Sequence, residues 1–205
     1  MKRVAIVDYG VSNLDSVARA VEECGGQPLV TSEPSVLAQA ASIVLPGVGA
    51  FRVGMTNLRR LGLDETLDEL VRERGIPVLG LCLGMHLLAT RGSEGGETDG
   101  LGWIDGEIVQ LTPREPGERV PHIGWNEVVA RRESPLLAID GHPRDYYFVH
   151  SYHFRPSVEE DVLATTPYCG GFVSMVGRAN VYGVQFHPEK SSRAGFALLR
   201  GFLTL

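Results

Sequence analysis

Cys82 stands between two glycines in Gly80-Leu81-Cys82-Leu83-Gly84, and far down the chain His187-Pro188-Glu189 offers an imidazole with a carboxylate two positions on. Thiol, base and orienting carboxylate are the three parts of a nucleophilic acyl-transfer site. The base takes the thiol proton and returns it to a leaving group, while the carboxylate holds the ring. The apolar run Ile76-Pro77-Val78-Leu79 precedes Cys82 and a helical-looking Met85 to Ala89 follows it. The thiol is therefore expected on a tight strand-to-helix turn, which flanking glycines make sterically possible, and a helix N-terminus behind it favours the thiolate. Most lone cysteines are small buried hydrophobes, and Cys24 and Cys169 read that way. Glycines on both sides of Cys82 have no explanation in that role.

Parallel strands are what must position these groups. Val4-Ala5-Ile6-Val7 is a continuous apolar run, and Leu14, Val17, Ala18 and Val21 then recur at helical spacing until Gly25-Gly26. The alternation repeats through a strand at Pro28 to Val30, a helix over Pro34 to Ala41, a strand at Ile43 to Leu45, helical stretches between Arg52 and Arg74, and a strand at Pro77 to Leu81. Continuous apolar strands predict an α/β fold, mostly parallel and covered by helices on both faces, with ligands bound at the carboxyl ends of the strands. After Thr90 the strands shorten, which predicts a mixed or antiparallel extension. In it a hairpin of Phe172 to Val176 and Val181 to Phe186 delivers His187, and a helix from Gly195 closes the chain.

With 205 residues and no composition break, one domain over 1–205 is expected. The net charge of −6 comes without a Lys/Arg stripe, so neither nucleic acid nor an anionic membrane is an expected partner. Three cysteines without Cys-x-x-Cys spacing argue against a disulfide framework and a zinc site and point to a reducing, cytoplasmic compartment. No apolar stretch is long enough to span a bilayer and only Met1-Lys2-Arg3 precedes the first strand, leaving no room for a leader. His122, His142 and His153 lack metal-ligand spacing, so no metal is expected. Gly47-Val48-Gly49 could open a phosphate loop, but the spacing does not continue as Gly-x-Gly-x-x-Gly.

Segments along nearly the whole chain carry a family likeness: Asp8-Tyr9-Gly10, Pro46-Gly47-Val48-Gly49-Ala50-Phe51, the Cys82 elbow, His122-Ile123-Gly124-Trp125-Asn126, His150-Ser151-Tyr152 and Gly183 to Ser191. The chain resembles the class I (triad) glutamine amidotransferases, and within them the glutaminase subunits of imidazole glycerol phosphate synthases of histidine biosynthesis. That resemblance implies a flavodoxin-like sheet and hydrolysis of L-glutamine through a Cys82 thioester. His187 would be base and acid, and Glu189 would orient it. It further implies an oxyanion hole from the Val48 and Leu83 backbone and a substrate pocket from Gly47, Gly49, His86, His150, Ser151 and Tyr152. No cofactor is implied. The ammonia would pass to a (β/α)8-barrel cyclase in a heterodimer, docked around Asn13, Trp125, Tyr147 and Lys190. The family usually has Gln where this chain has His86; an imidazole lacks the amide's paired donor and acceptor, so glutamine affinity is expected to fall or become pH-dependent. A glutaminase serving a different synthase, a hydrolase or peptidase on a similar sheet, and a non-catalytic subunit stand as alternatives.

Overall fold

The computed structural model describes residues 1–137 and 142–205. Its first half alternates strand and helix: β1 (Arg3–Val7), α1 (Leu14–Glu23), β2 (Gln27–Thr31), α2 (Pro34–Leu37), β3 (Ser42–Gly47), α3 (Phe51–Arg60), α4 (Leu63–Asp68), β4 (Val78–Cys82) and α5 (Leu83–Leu87). The second half is strand-rich: β5 (Arg91–Gly92), β6 (Thr98–Asp99), β7 (Gly106–Gln110), β8 (His122–Ala130), β9 (Arg144–His150), β10 (Tyr152–Pro156), β11 (Val162–Thr166), β12 (Phe172–Arg178) and β13 (Val181–Val184), closed by α6 (Ser192–Leu203).

The main sheet runs β2-β1-β3-β4-β13-β12-β10-β7-β5-β6, parallel from β2 to β13 and antiparallel through β12, β10 and β7. A second layer of pairing, β12-β11-β8-β9, is antiparallel throughout. The α/β class, the parallel core and the antiparallel extension are as expected from the sequence.

Side-chain alternation in β1 divides the interior. Ala5 and Val7 join Phe51, Met55, Leu67 and Leu87 on one face, and Val4 and Ile6 join Val17, Val21, Leu198 and Phe202 on the other. Helices pack on both faces, so the strands carry no polar face. Their register lines up the site: Gly47 lies beside Cys82, and Leu81 beside both Pro46 and Val184.

The sequence reading departs from the structure in places. The helix expected over Pro34 to Ala41 is a single turn ending at Leu37, because the next residues turn the chain into β3. Glu69–Glu73 is a π-helical turn continuing α4. Strand β8 runs from His122 through the family-like segment to Ala130, with Gly124 at φ +133 inside it, and β10 and β11 lack a strong apolar run that would have revealed them.

Candidate functional site

Cys82 ends β4 and immediately starts α5, with φ 52 and ψ −106. A non-glycine residue held there costs of order 1–3 kcal/mol and persists only where its surroundings dictate it. Here they do. A Cβ on Gly80 would come within 2.6 Å of the Gly84 carbonyl, and one on Gly84 would overlap the Leu45 carbonyl oxygen of β3. Strand and helix are thus in backbone contact at the elbow, and the thiol, 7% exposed, is left at the sheet edge. Its sulfur lies 3.9 Å from the Val149 carbonyl oxygen and 4.0 Å from Gln185 Nε2.

His187 and Glu189 follow β13, the strand next to β4. His187 Nδ1 is 2.8 Å from Glu189 Oε1, and both side chains are buried. Burial pulls the imidazole pKa down, but Cys82 and Glu189 outweigh it and raise it to about 10. With Nδ1 on the carboxylate, Nε2 is the ring nitrogen left for the Cys82 thiol, close enough to be stabilised by it but without a fully formed hydrogen bond. The loop is clamped from β9: the His187 N–H donates to the Tyr147 carbonyl at 2.9 Å, while Ser191 Oγ accepts from the Tyr147 N–H and donates to the His187 carbonyl. Ser191 and Gln185 are site residues that the sequence reading left unassigned. Strand alternation was the available signal for Gln185, two positions before His187 in an extended run.

Beside the thiol a cavity of about 250 Å³ is lined by Val48, Gly49, Leu83, His86, His150, Ser151 and Tyr152, together with Glu94 and Val149. Of the residues expected in the substrate pocket, Gly47 alone is not on this wall. It packs beneath it, where a Cβ would overlap the Tyr9 hydroxyl and come within 2.9 Å of Leu83 Cβ. Glu94 was not anticipated; its carboxylate accepts the Phe51 N–H at 2.9 Å, and burial raises its pKa against that hydrogen bond.

The ring of His150 has both nitrogens engaged. Nδ1 faces the Tyr152 carbonyl at 2.8 Å and Nε2 faces His122 Nδ1 at 3.0 Å, while His122 Nε2 is 3.1 Å from Asn126 Nδ2. A carbonyl only accepts and an amide nitrogen only donates, so the protons have one consistent placement: Asn126 donates to His122, His122 to His150, and His150 to Tyr152. Burial holds His122 at about 4 and His150 well below its usual value, so both stay neutral and the chain keeps its direction. His150 forms a wall of the pocket without a free ring nitrogen.

The Leu83 N–H opens α5 beside the thiol. The Val48 N–H is instead spent on the Val11 carbonyl at 2.7 Å. Of the expected interface residues, Trp125 and Tyr147 are a cross-strand pair of β8 and β9 with ring centroids 6.2 Å apart, and Lys190 Nζ sits 5.9 Å from the Tyr147 ring centre. Trp125 is 53% exposed and the neighbouring pair Ile123 and Val149 is 60% and 36% exposed, which makes an apolar patch running up to the Val149 carbonyl at the thiol. Asn13 precedes α1 with its side chain exposed and uncapping. No helix among the described residues is long and apolar enough to cross a membrane, and no His/Cys/Asp/Glu group among them could hold a metal ion.

A thiol with a buried histidine and carboxylate at the carboxyl edge of a parallel sheet is the arrangement that cysteine-dependent acyl transfer requires in an α/β protein. Residues 5–204 match the family Glutamine amidotransferase class-I, and the chain belongs to that family. It is 45% identical over 202 residues to Imidazole glycerol phosphate synthase subunit HisH of Moorella thermoacetica, covering 98% of this chain and 94% of that one. It is 46% identical over 199 residues to the subunit of the same name from Symbiobacterium thermophilum, covering 97% and 92%. In fold it is similar to PurLQS from Thermotoga maritima, with a TM-score of 0.75 at 17% identity over 100% of this chain and 99% of that one. A solved glutamine amidotransferase gives a TM-score of 0.74 at 18% identity, over 96% and 98%.

Proposed function

We propose that this chain, as one domain, is the glutaminase subunit of an imidazole glycerol phosphate synthase. The observation that carries the reading is the His187–Glu189 pair at 2.8 Å just past the strand beside the Cys82 elbow, in a chain similar over nearly its whole length to curated subunits of that synthase. Cys82 gives its proton to His187, whose raised pKa favours that transfer, and the thiolate attacks the side-chain carbonyl carbon of L-glutamine; the tetrahedral intermediate collapses as the C–N bond breaks and the proton on His187 leaves with ammonia. Water then cleaves the thioester, with His187 again as base, and releases glutamate. Glu189 keeps the ring oriented and stabilises its cationic form. Glu94 suits the substrate's ammonium, and the Leu83 N–H suits the oxyanion; the Val48 N–H joins it once released from Val11.

Free ammonia would be protonated and lost, so the reading includes a partner that consumes it. The partner is a (β/α)8-barrel cyclase, which makes a heterodimer in the cytoplasm. The apolar Ile123–Trp125–Val149 patch at the mouth of the site supports docking there, with Tyr147, Lys190 and Asn13 at its edge. Aromatic residues of this kind carry much of the energy of interfaces. The test is glutamate release from glutamine by the purified chain, alone and with an equimolar cyclase subunit and its ligand. Strong stimulation is expected. Glutaminase activity indifferent to the cyclase would assign the chain to another synthase, and no activity in either state would end the reading.

A further inference from the structure

Gln185 is fully buried, one residue past β13, and its carboxamide bridges two groups of the site. His86 Nε2 lies 2.8 Å from Gln185 Oε1, and Gln185 Nε2 lies 4.0 Å from the Cys82 sulfur. An amide oxygen only accepts, so His86 carries its proton on Nε2, and the amide N–H is left pointing at the nucleophile. We propose that Gln185 is a catalytic residue that donates an N–H to the Cys82 thiolate, and that His86 is the positioning residue that keeps the amide turned that way. The proposal rests on the reading of Cys82 as nucleophile.

The surroundings of the sulfur leave this role open. Helix α5 has five residues, so its dipole is short. The Val149 carbonyl, 3.9 Å away, accepts from a thiol but repels a thiolate. An amide N–H on the opposite account favours the anion, and in a site this dry such a donor is worth more than in water. Turned the other way, the amide would present its oxygen to the sulfur and oppose ionisation. His86 donating from Nε2 holds the amide oxygen on its own side and leaves the N–H toward the sulfur, and burial lowers the imidazole pKa to about 4, so the ring makes this hold as the neutral Nε2–H tautomer. The other titratable groups around the sulfur are His187 with Glu189, Tyr9 behind the elbow, and Glu94, His150 and Tyr152 on the pocket wall.

The experiment is the pH dependence of Cys82 alkylation by iodoacetamide in the intact chain, resolved by peptide mass spectrometry from Cys24 and Cys169. It needs neither glutamine nor partner. Gln185→Leu keeps the approximate volume and removes the donor; its alkylation at neutral pH should be about tenfold slower, with the midpoint moved to higher pH, the size expected of one hydrogen bond to a charged group. His86→Leu frees the amide and should slow the reaction about threefold, whereas His86→Gln, whose amide can donate in place of Nε2–H, should keep the original profile. A merely structural role would lower the urea midpoint without moving the pH profile. An unchanged Gln185→Leu profile overturns the proposal, and a faster one means the oxygen faces the sulfur. If Gln185→Leu unfolds, seen as rapid labelling of Cys24 and Cys169, His86→Leu decides by the same criterion. Loss of glutamine hydrolysis with the alkylation shifts intact would defeat the glutaminase reading alone, and a wild-type Cys82 inert to the reagent would defeat both.

Discussion

Two neighbouring strand ends meet at the site and are built oppositely. The β4 end is locked: Cys82 is forced to φ 52, Gly80 and Gly84 are in backbone contact with their neighbours, and the sulfur, His187 and Glu189 are buried. The β3 end, one hydrogen-bonded register across, is loose: Val48 is 42% exposed, a Cβ on Gly49 would touch nothing, and Gly49 sits at φ +105. One hydrogen bond, from the Val48 N–H to the Val11 carbonyl, clasps this strip. On the proposed reading the attacking apparatus is assembled in advance, while the Val48 N–H, one of the two proposed oxyanion donors, is held by Val11. Any control of such a site is expected at the strip just past β3, where Val48 is exposed although the strand itself is buried.

The largest effect should come from breaking the locked side. Gly84→Ala places a methyl group into the Leu45 carbonyl, where neither partner is a flexible side chain, so the strands or the helix must move. A loss of about 3 kcal/mol or more in urea unfolding, with glutaminase activity abolished, is expected. The equivalent change on the loose side, Gly49→Ala, meets only backbone strain and should cost about 1 kcal/mol. Equal losses at the two positions would remove the contrast.

Next in size is Val48→Pro, which deletes the N–H. If that group joins the oxyanion hole during turnover, the partner-stimulated kcat should fall by about 10²-fold or more, the usual loss for one such donor. Cys82 alkylation has no oxyanion and should continue at its normal rate. A kcat that survives would leave Leu83 as the donor that matters and make the strip a bystander.

How much of this was legible follows the same division. The elbow could be read because its chemistry and its sterics fall on adjacent residues: glycines flank a cysteine after an apolar run, and the structure uses both for backbone contact. The parallel core was legible from uninterrupted apolar runs such as Val4 to Val7, since both faces of those strands are covered. The antiparallel half was read more coarsely. Its strands β8, β10 and β11 mix exposed and buried residues and are paired across long sequence separations, so the local pattern is weak. Hydrogen-bond partners were illegible for the same reason. Nothing near position 122 announces His150, and nothing near Val11 announces Val48. His86 could be seen as unusual only by likeness to a family, and its contact with Gln185, 99 positions away, could not be seen at all.

The locked side should also report itself in the pH dependence of stability. His187 has its folded pKa raised from 6.5 to about 10, so its contribution is complete below about pH 6.5 and is lost as pH rises toward about 10. Urea midpoints of the wild type should decline across that window. Cys82→Ala removes one of the two groups that raise the pKa and should flatten the decline, leaving the part due to Glu189. An identical slope in the variant would mean that the thiol and the imidazole do not sense each other in the resting enzyme.

The smallest effect tests whether a pocket residue can belong to both sides. His86 touches the locked side through Gln185 and also lines the substrate cavity. With Nε2–H committed to Gln185, its only other polar atom is an acceptor, Nδ1, so the ring offers a ligand one hydrogen bond and no donor. His86→Gln restores a side chain with both a donor and an acceptor. The Michaelis constant for glutamine should fall by a few-fold, about what one neutral hydrogen bond contributes, with kcat changed much less. A lower kcat at unchanged Michaelis constant would place His86 wholly with the nucleophile, as a support for Gln185 and not a substrate contact. An unchanged value of both would mean that the imidazole already does for the substrate what the amide would.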